Sequence, residues 1–373
     1  YSMIKIGITG QAGFIGTHLF NFFGLNKEII RVPFNDDYFA DPSKLKAFVS
    51  QCDAIVHLAA LNRHNDPQTI YDTNIELVRK LVSALESTGS RPHVLFSSST
   101  QEERDNVFGK SKREGRKLLA EWSRRSGGAF TGMVIPNVFG PFGNPYYNSV
   151  VATFSHQLTH NEQPRVEVDT QLKLIHIGDL VRIIYYLIEN KIADDEFRIT
   201  PTDEARVTEI LTLLQSFKAQ YFEKGIIPDL SDPFERNLFN TFVCYIDHES
   251  YFPFRLKLNT DERGSFVETV KLNSGGQVSF STTKPGITRG NHFHTRKAER
   301  FAVIKGKARI QLRRIGTNKI ISLDLNGSEP SYVDMPVWYT HNITNTGEDE
   351  LYTMFWINES YDPTDPDTFL EQV

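Results

Sequence analysis

Between residues 4 and about 135, short apolar runs alternate with longer amphipathic stretches. Residues 4–9, 28–32, 54–58 and 93–96 read as strands of a parallel sheet buried on both faces. Ile70, Asn74, Leu77, Leu81 and Leu85 recur at helical spacing and predict an amphipathic helix. Strand–helix alternation of this kind predicts a parallel sheet with helices on both faces. The alternation loosens after residue 140, but residues 174–176 (strand) and 180–187 (helix) continue the same domain, and 207–219 reads as a further helix.

From Pro228 to Pro253, proline, aspartate, asparagine and tyrosine interrupt any regular period, which places a domain boundary near residue 246. The expected domains are 1–245 and 246–373. Beyond the boundary, residues 277–282, 300–304, 308–313, 320–325 and 351–357 read as short strands separated by Gly, Asn and Pro turns. This is the pattern of a small antiparallel barrel or jelly roll. The fold class expected is therefore α/β, a Rossmann-type doubly wound parallel sheet, followed by an all-β barrel.

The 373 residues suffice for two cores, and 39% hydrophobic with 23% charged residues describe an ordinary soluble globular chain. Forty-one basic against 46 acidic side chains give −5, with no basic block, so nucleic acid is not an expected partner. No apolar run approaches membrane-spanning length and no signal peptide precedes the first strand, so no membrane partner is expected. Tyr1 and Ser2 read as an expression remnant ahead of Met3. Cys52 and Cys244 lie far apart and read as free thiols of a cytoplasmic protein.

Two patterns carry chemistry. Thr9, Gly10, Gly13 and Gly16 follow the first strand, and Phe14 and Ile15 open the helix after it. Glycines there allow a tight turn, close backbone approach to a pyrophosphate and close helix packing, with the helix N-terminus facing the anion. Arg31, at the end of the second strand, either meets a ribose 2′-phosphate, which points to NADPH, or is a solvated surface charge. The second pattern is His292-Phe293-His294, Glu299 and His341. On a strand the two imidazoles of the first tripeptide share a face. Three imidazoles and a carboxylate suit Zn²⁺ best, with Mn, Fe or Ni possible. Four protein ligands can also close a purely structural site.

Over roughly the first 245 residues the chain resembles the extended short-chain dehydrogenase/reductase family. The likeness rests on the glycines, His57-Leu58-Ala59-Ala60, Asn74, Ser97-Ser98-Ser99, Pro136-Asn137-Val138-Phe139-Gly140 and His176-Ile177-Gly178-Asp179. It implies NAD(P)-dependent chemistry on a nucleotide sugar. Leu58, Ala59, Ala60, Asn74 and Lys112 would line the cofactor, Asn137 the substrate, and Ser99 would hydrogen-bond the reacting oxygen. The family places a proton-donating Tyr four residues before the Lys. Here Phe108 stands four before Lys112 and has no proton to give. The site is then natively inactive, or another donor substitutes, or the residue was changed to trap a complex; the intact surroundings favour the last.

Gly286, His292, His294, Glu299, Gly306, Pro336, His341 and Asn345 resemble the two motifs of the cupin superfamily, with Trp338 where the second motif carries a glycine. Asp261-Glu262-Arg263-Gly264-Ser265-Phe266, Glu268 and residues 284–290 resemble the deoxysugar 3- or 3,5-epimerase cupins. Arg263 and Arg289 would hold a diphosphate through bidentate guanidinium forks. Tyr339, Glu359 and Tyr361 are candidates for proton transfer at the barrel mouth. Over nearly its full length the chain resembles the bifunctional capsular-polysaccharide enzymes of UDP-N-acetyl-L-fucosamine synthesis. That resemblance implies C3 epimerisation of a UDP-2-acetamido-2,6-dideoxy-4-hexulose, then NADPH-dependent C4 reduction to UDP-2-acetamido-2,6-dideoxy-L-talose. It also implies a homo-oligomer, dimer or higher. The alternatives are a dehydratase or C4-epimerase with an inert cupin, against which Thr100-Gln101 after Ser99 argues, and a nucleotide-sugar sensor with a decayed reductase site.

Overall fold

The computed structural model describes residues 3–373; the reading of Tyr1 and Ser2 lies outside them. The first compact unit runs to Phe139 and adds Tyr146–Ser149 and Thr170–Ala205. Its elements begin β1 (Ile4–Thr9), α1 (Phe14–Phe23), β2 (Ile29–Val32), α2 (Pro42–Gln51), β3 (Ala54–His57), α3 (Pro67–Thr88), β4 (His93–Ser99), α4 (Val107–Ser126) and β5 (Phe130–Ile135). The sheet has six parallel strands in the order β2–β1–β3–β4–β5, then Asp194–Arg198.

Side-chain alternation along these strands divides the core in two. Ile6, Ile8, Val56, Leu95 and Met133 meet Leu19 and Phe23 of α1 and Ile184 and Leu187 of helix Ile177–Glu189. Ile55, Val94, Phe96 and Phe130 meet Phe48 of α2, Leu81 of α3 and Leu119 of α4. Burial of each such side chain stabilises the unit by about 1.5–3 kcal/mol, so both faces of the sheet must be covered. Caps fix where the helices start: Asp41, Asp66 and Asn106 accept from Ser43, Gln68 and Gly109 N–H respectively. β1 lies between β2 and β3, so the chain steps from β1 to one side and then crosses over to build the rest of the sheet on the other. A crevice at the C-terminal ends of the strands opens at such a switch point.

The second unit gathers Gly140–Pro145, Val150–Asp169 and Arg206–Val373. Residues 228–253 are not irregular throughout as the sequence pattern suggests: Pro233–Val243 is a helix. Pro233 starts it rather than breaking it, Asp232 caps Glu235 N–H, and Leu238, Phe239 and Phe242 are buried. This stretch packs on the β-rich part. Asn240 Nδ2 donates to the Arg296 carbonyl (3.0 Å), and the Tyr221 hydroxyl donates to Asp334. Asp334 in turn holds Arg300 through two contacts of 2.7 and 2.9 Å, with the guanidinium 3.5 Å from the Tyr332 ring centroid.

Two five-stranded antiparallel sheets follow. One is ordered Phe254–Arg255, Ser331–Met335, Glu299–Lys305, Leu351–Ile357, Gln277–Thr283. The other is ordered Ile320–Asn326, Lys307–Arg314, Tyr339–Asn345, Thr288–Phe293, Phe369–Leu370. Strand Tyr339–Asn345 escapes a hydrophobicity pattern because Thr340, His341, Asn342 and Asn345 are all buried polar residues. Trp338 has a left-handed backbone (φ +62°). That conformation costs about 1–2 kcal/mol for a non-glycine residue. Its ring stacks on Phe293 (5.5 Å between centroids) and its backbone N–H donates to the His294 carbonyl at 2.8 Å.

Among the described residues no helix is long and apolar enough to cross a membrane. Cys52 and Cys244 are free, and burial pushes both thiols up to about 12, so neither is a ready nucleophile at neutral pH.

Candidate functional site

The glycine loop lies at the switch point. Gly10 has φ +67°, and a Cβ there would sit 2.8 Å from Ala59 N. At Gly16 it would sit 2.2 Å from the Gly10 carbonyl oxygen. Gly13 caps α1 and donates its N–H to that oxygen at 3.1 Å. The backbone is therefore open at the helix start, and the loop fits a dinucleotide pyrophosphate. Phe14, Ile15, Leu58, Ala59 and Ala60 are half-buried. Gly10→Ala should destabilise the protein by at least about 1–2 kcal/mol from the left-handed backbone alone and weaken nucleotide binding. Urea denaturation and NADPH fluorescence titration read the two effects.

Thr9 does not reach outward. Its hydroxyl accepts from Leu58 N–H (3.1 Å) and Ala59 N–H (3.3 Å), so its one hydrogen goes to His57 Nδ1 at 2.7 Å. Burial lowers His57 to about 3 and keeps it neutral, and its Nε2 has no protein partner among the described residues. Asn74 accepts from Leu61 N–H (2.7 Å) and donates to the Leu61 carbonyl and Ser111 Oγ (both 3.0 Å). Thr9 and Asn74 thus pin the segment after β3 from two sides. Arg31 lies along α1, donating to the Phe20 carbonyl at 3.2 Å with its guanidinium 4.2 Å from the Phe20 ring centroid.

Ser99 ends β4 and accepts from Gln101 N–H at 3.1 Å. Phe108 and Lys112 share a face of α4. Lys112 is 4% exposed, with Nζ 5.0 Å from the Phe96 ring centroid and 5.5 Å from that of Phe108. Burial lowers its ammonium to about 8. No carboxylate lies within ion-pairing distance of it among the described residues. Asn137 is exposed and donates to the Lys173 carbonyl at 3.3 Å.

The second cluster is built by register. Strand Thr288–Phe293 pairs with Tyr339–Asn345, and a bulge between Gly290 and His292 sets His292 directly opposite His341. The extra residue, Asn291, has φ +58°, and Gly290 has φ +98° with no room for a Cβ (2.8 Å from the His341 carbonyl oxygen). His292, His294, Glu299 and His341 each offer a ligand atom, all within 4.8 Å of one another. Glu299 Oε2 is 3.2 Å from His294 Nε2 and 3.1 Å from His341 Nε2. The second approach lacks hydrogen-bond geometry, so His341 Nε2 is a buried nitrogen without a bonded partner. Burial opposes ionisation of Glu299, but His294 and His341 outweigh it and hold the carboxyl well below its usual range. Burial lowers His292 to about 4, leaving it neutral. A buried carboxylate facing three imidazoles, one nitrogen unsatisfied, fits a Zn²⁺ site.

Other expected residues are engaged elsewhere. Arg263 folds back on Asp261 at 2.6 Å, on an exposed hairpin. Arg289 donates to Thr283 Oγ1 (3.1 Å) and the Thr282 carbonyl (2.9 Å). Tyr339 packs against Phe142 and His248. Glu359 pairs with Arg296 at 2.9 Å, and the exposed Tyr361 lies beneath Lys297. Neither Asn291 nor Asp367, whose carbonyl accepts from His294 Nδ1, was singled out by ligand spacing. The Gly290-Asn291 pair, with its tolerance of positive φ, was the one available signal for the bulge.

Residues 6–200 match the NAD dependent epimerase/dehydratase family, and residues 259–369 match the polysaccharide biosynthesis C-terminal domain. The chain is 32% identical over 369 residues to the UDP-2-acetamido-2,6-beta-L-arabino-hexul-4-ose reductase of Pseudomonas aeruginosa, covering 98% of each chain. It resembles the crystal structure of the capsular polysaccharide assembling protein CapF from Staphylococcus aureus with a TM-score of 0.62 and 33% identity, over 99% of this chain and 100% of that one. RMD from Pseudomonas aeruginosa, solved with NADPH, is 21% identical with a TM-score of 0.52 over 58% of this chain and 82% of its own; it shares the fold.

Proposed function

The chain belongs to the NAD dependent epimerase/dehydratase family, extended by a polysaccharide biosynthesis C-terminal domain, and from that premise we propose a two-step nucleotide-sugar enzyme. It inverts C3 of a UDP-2-acetamido-2,6-dideoxy-4-hexulose, then reduces the C4 ketone with NADPH to UDP-2-acetamido-2,6-dideoxy-L-talose, in capsular polysaccharide synthesis. The observation that carries this reading is the match along 98% of both chains to a 4-hexulose reductase. We assign reduction to residues 1–245 and epimerisation to 246–373, and take the enzyme to be a cytoplasmic homo-oligomer.

One ketone serves both steps. It acidifies the C3–H, so a base can remove that proton and an acid return it to the other face. Tyr339, Glu359 and Tyr361 are the candidates for those transfers, and Arg263 and Arg289 for the diphosphate. His292, His294, Glu299 and His341 would hold Zn²⁺, which supplies Lewis acidity toward the ketone oxygen if a coordination position stays open, and rigidity if not.

In the reductase half the nicotinamide supplies hydride to C4. Gly10, Gly13 and Gly16 give the pyrophosphate its backbone cradle, and Arg31 would turn to the 2′-phosphate. Ser99 hydrogen-bonds the C4 oxygen. Phe108 offers that oxygen no proton; Lys112, buried and unpaired beside it, donates one N–H proton to the alkoxide and regains it from water. This route is slower than one through a phenol.

Incubation with the 4-keto sugar in D₂O, without nicotinamide, should place deuterium at C3. Absence of exchange would remove the epimerase step. Phe108 also favours a second reading, a sugar-nucleotide sensor, which predicts binding of the UDP-sugar with neither exchange nor NADPH oxidation.

A further inference from the structure

We infer that Asp367 is a positioning residue of the histidine–glutamate centre, and that the C-terminal segment around it is a working part of that centre. The inference rests on the zinc reading above. Asp367 lies 4% exposed in a left-handed backbone (φ +44°), far in sequence from every ligand. Its carboxylate accepts from Thr295 N–H (3.1 Å), Thr295 Oγ1 (2.6 Å), Arg296 N–H (2.9 Å) and Lys297 N–H (3.2 Å). Its backbone carbonyl accepts from His294 Nδ1 at 2.6 Å.

These contacts act on the centre twice. The carbonyl takes the Nδ1 hydrogen, so on metal binding His294 would give up only its Nε2 hydrogen, which faces Glu299 at 3.2 Å, and would turn that lone pair to the ion. A partner on the far nitrogen fixes tautomer and ring angle of a metal-binding histidine. The carboxylate also gathers three of the four residues that join His294 to Glu299, and so sets the spacing of two ligands. The segment is tied down around it. Lys297 Nζ donates to the Pro366 carbonyl at 2.8 Å, Arg296 meets Asp365 at 3.0 Å, and Phe369 and Leu370 pair with Phe293 and His292. The tail therefore grips the strand that carries one ligand and the turn that separates two others.

The test is zinc affinity of the purified protein by competition with a chromogenic chelator, beside the visible spectrum of the cobalt-loaded form. Asp367→Ala should weaken zinc binding about 10–100-fold and shift the cobalt spectrum. Asp367→Asn, which keeps an acceptor oxygen and tolerates the left-handed backbone, should restore most of the affinity. A purely structural tail would lower thermal stability while leaving affinity and spectrum unchanged, and that result would overturn the inference. Should Asp367→Ala fail to fold, Thr295→Val deletes the 2.6 Å contact without touching the tail. A several-fold loss of affinity supports the inference, and wild-type affinity refutes it. Wild-type protein that takes up no zinc would defeat the metal reading itself, which is a separate result.

Discussion

Phe108→Tyr is expected to raise NADPH oxidation with the 4-keto sugar about 10²–10⁴-fold, the usual contribution of a placed general acid. The side chain sits one helical turn before Lys112, whose Nζ is 5.5 Å from the centre of the Phe108 ring. A hydroxyl on that ring would enter a region where an ammonium is poorly hydrated, and the ammonium would lower the phenol's pKa. The pH profile should change as well. On the proposed mechanism the donor in the present chain is protonated Lys112, which burial lowers to about 8. Activity should thus be present below that value and fall as pH rises through it. In the tyrosine variant Lys112 supports the phenol instead of replacing it, and the high-pH fall should move. Equal rates and profiles in the two proteins would show that residue 108 does not face the reacting oxygen.

His341→Ala should abolish zinc uptake and with it C3 deuterium exchange. His341 is fully buried and pairs directly with His292 across the strands. Removing it leaves Glu299 ionised in a dry site with His294 as its remaining close partner, which should cost the metal-free protein about 1–3 kcal/mol. Metal analysis, urea denaturation and the D₂O assay measure these. NADPH oxidation with substrate already inverted at C3 should continue, because Lys112, Ser99 and the glycine loop lie in the other compact unit. Zinc retained at wild-type stoichiometry would rule His341 out as a ligand.

Local chemistry explains which of these features the sequence could show. The strand from Ala54 opens on an unbroken apolar run, Ala54-Ile55-Val56, because helices cover both faces of the sheet. The four residues of the histidine–glutamate cluster were legible as a group because ligand chemistry restricts residue type. Helix Pro233–Val243 was hidden because a helix-starting proline and a helix-breaking one look alike without the cap beside them. Strand Tyr339–Asn345 was hidden because its buried side chains are polar and bonded to the fold. Arg263 and Arg289 show a further limit. Residue type suggests the proposed diphosphate contacts, whereas their bonds to Asp261 and to Thr282 and Thr283 depend on strand geometry that residue type does not record. Asp367 and the bulge at Asn291 act through backbone position, which composition does not record.

The helix Pro233–Val243 and the Tyr221–Asp334–Arg300 link give the chain an uneven seam. A gene break at residue 246 would strand Phe239 and Phe242 on one fragment and leave Arg300 and Asp334 without Tyr221 on the other. The β-rich part is therefore poorly suited to being exchanged between proteins by simple recombination at that point. Inheritance of the residues from Arg206 onward along with it would keep the helix and the sheets it packs on together.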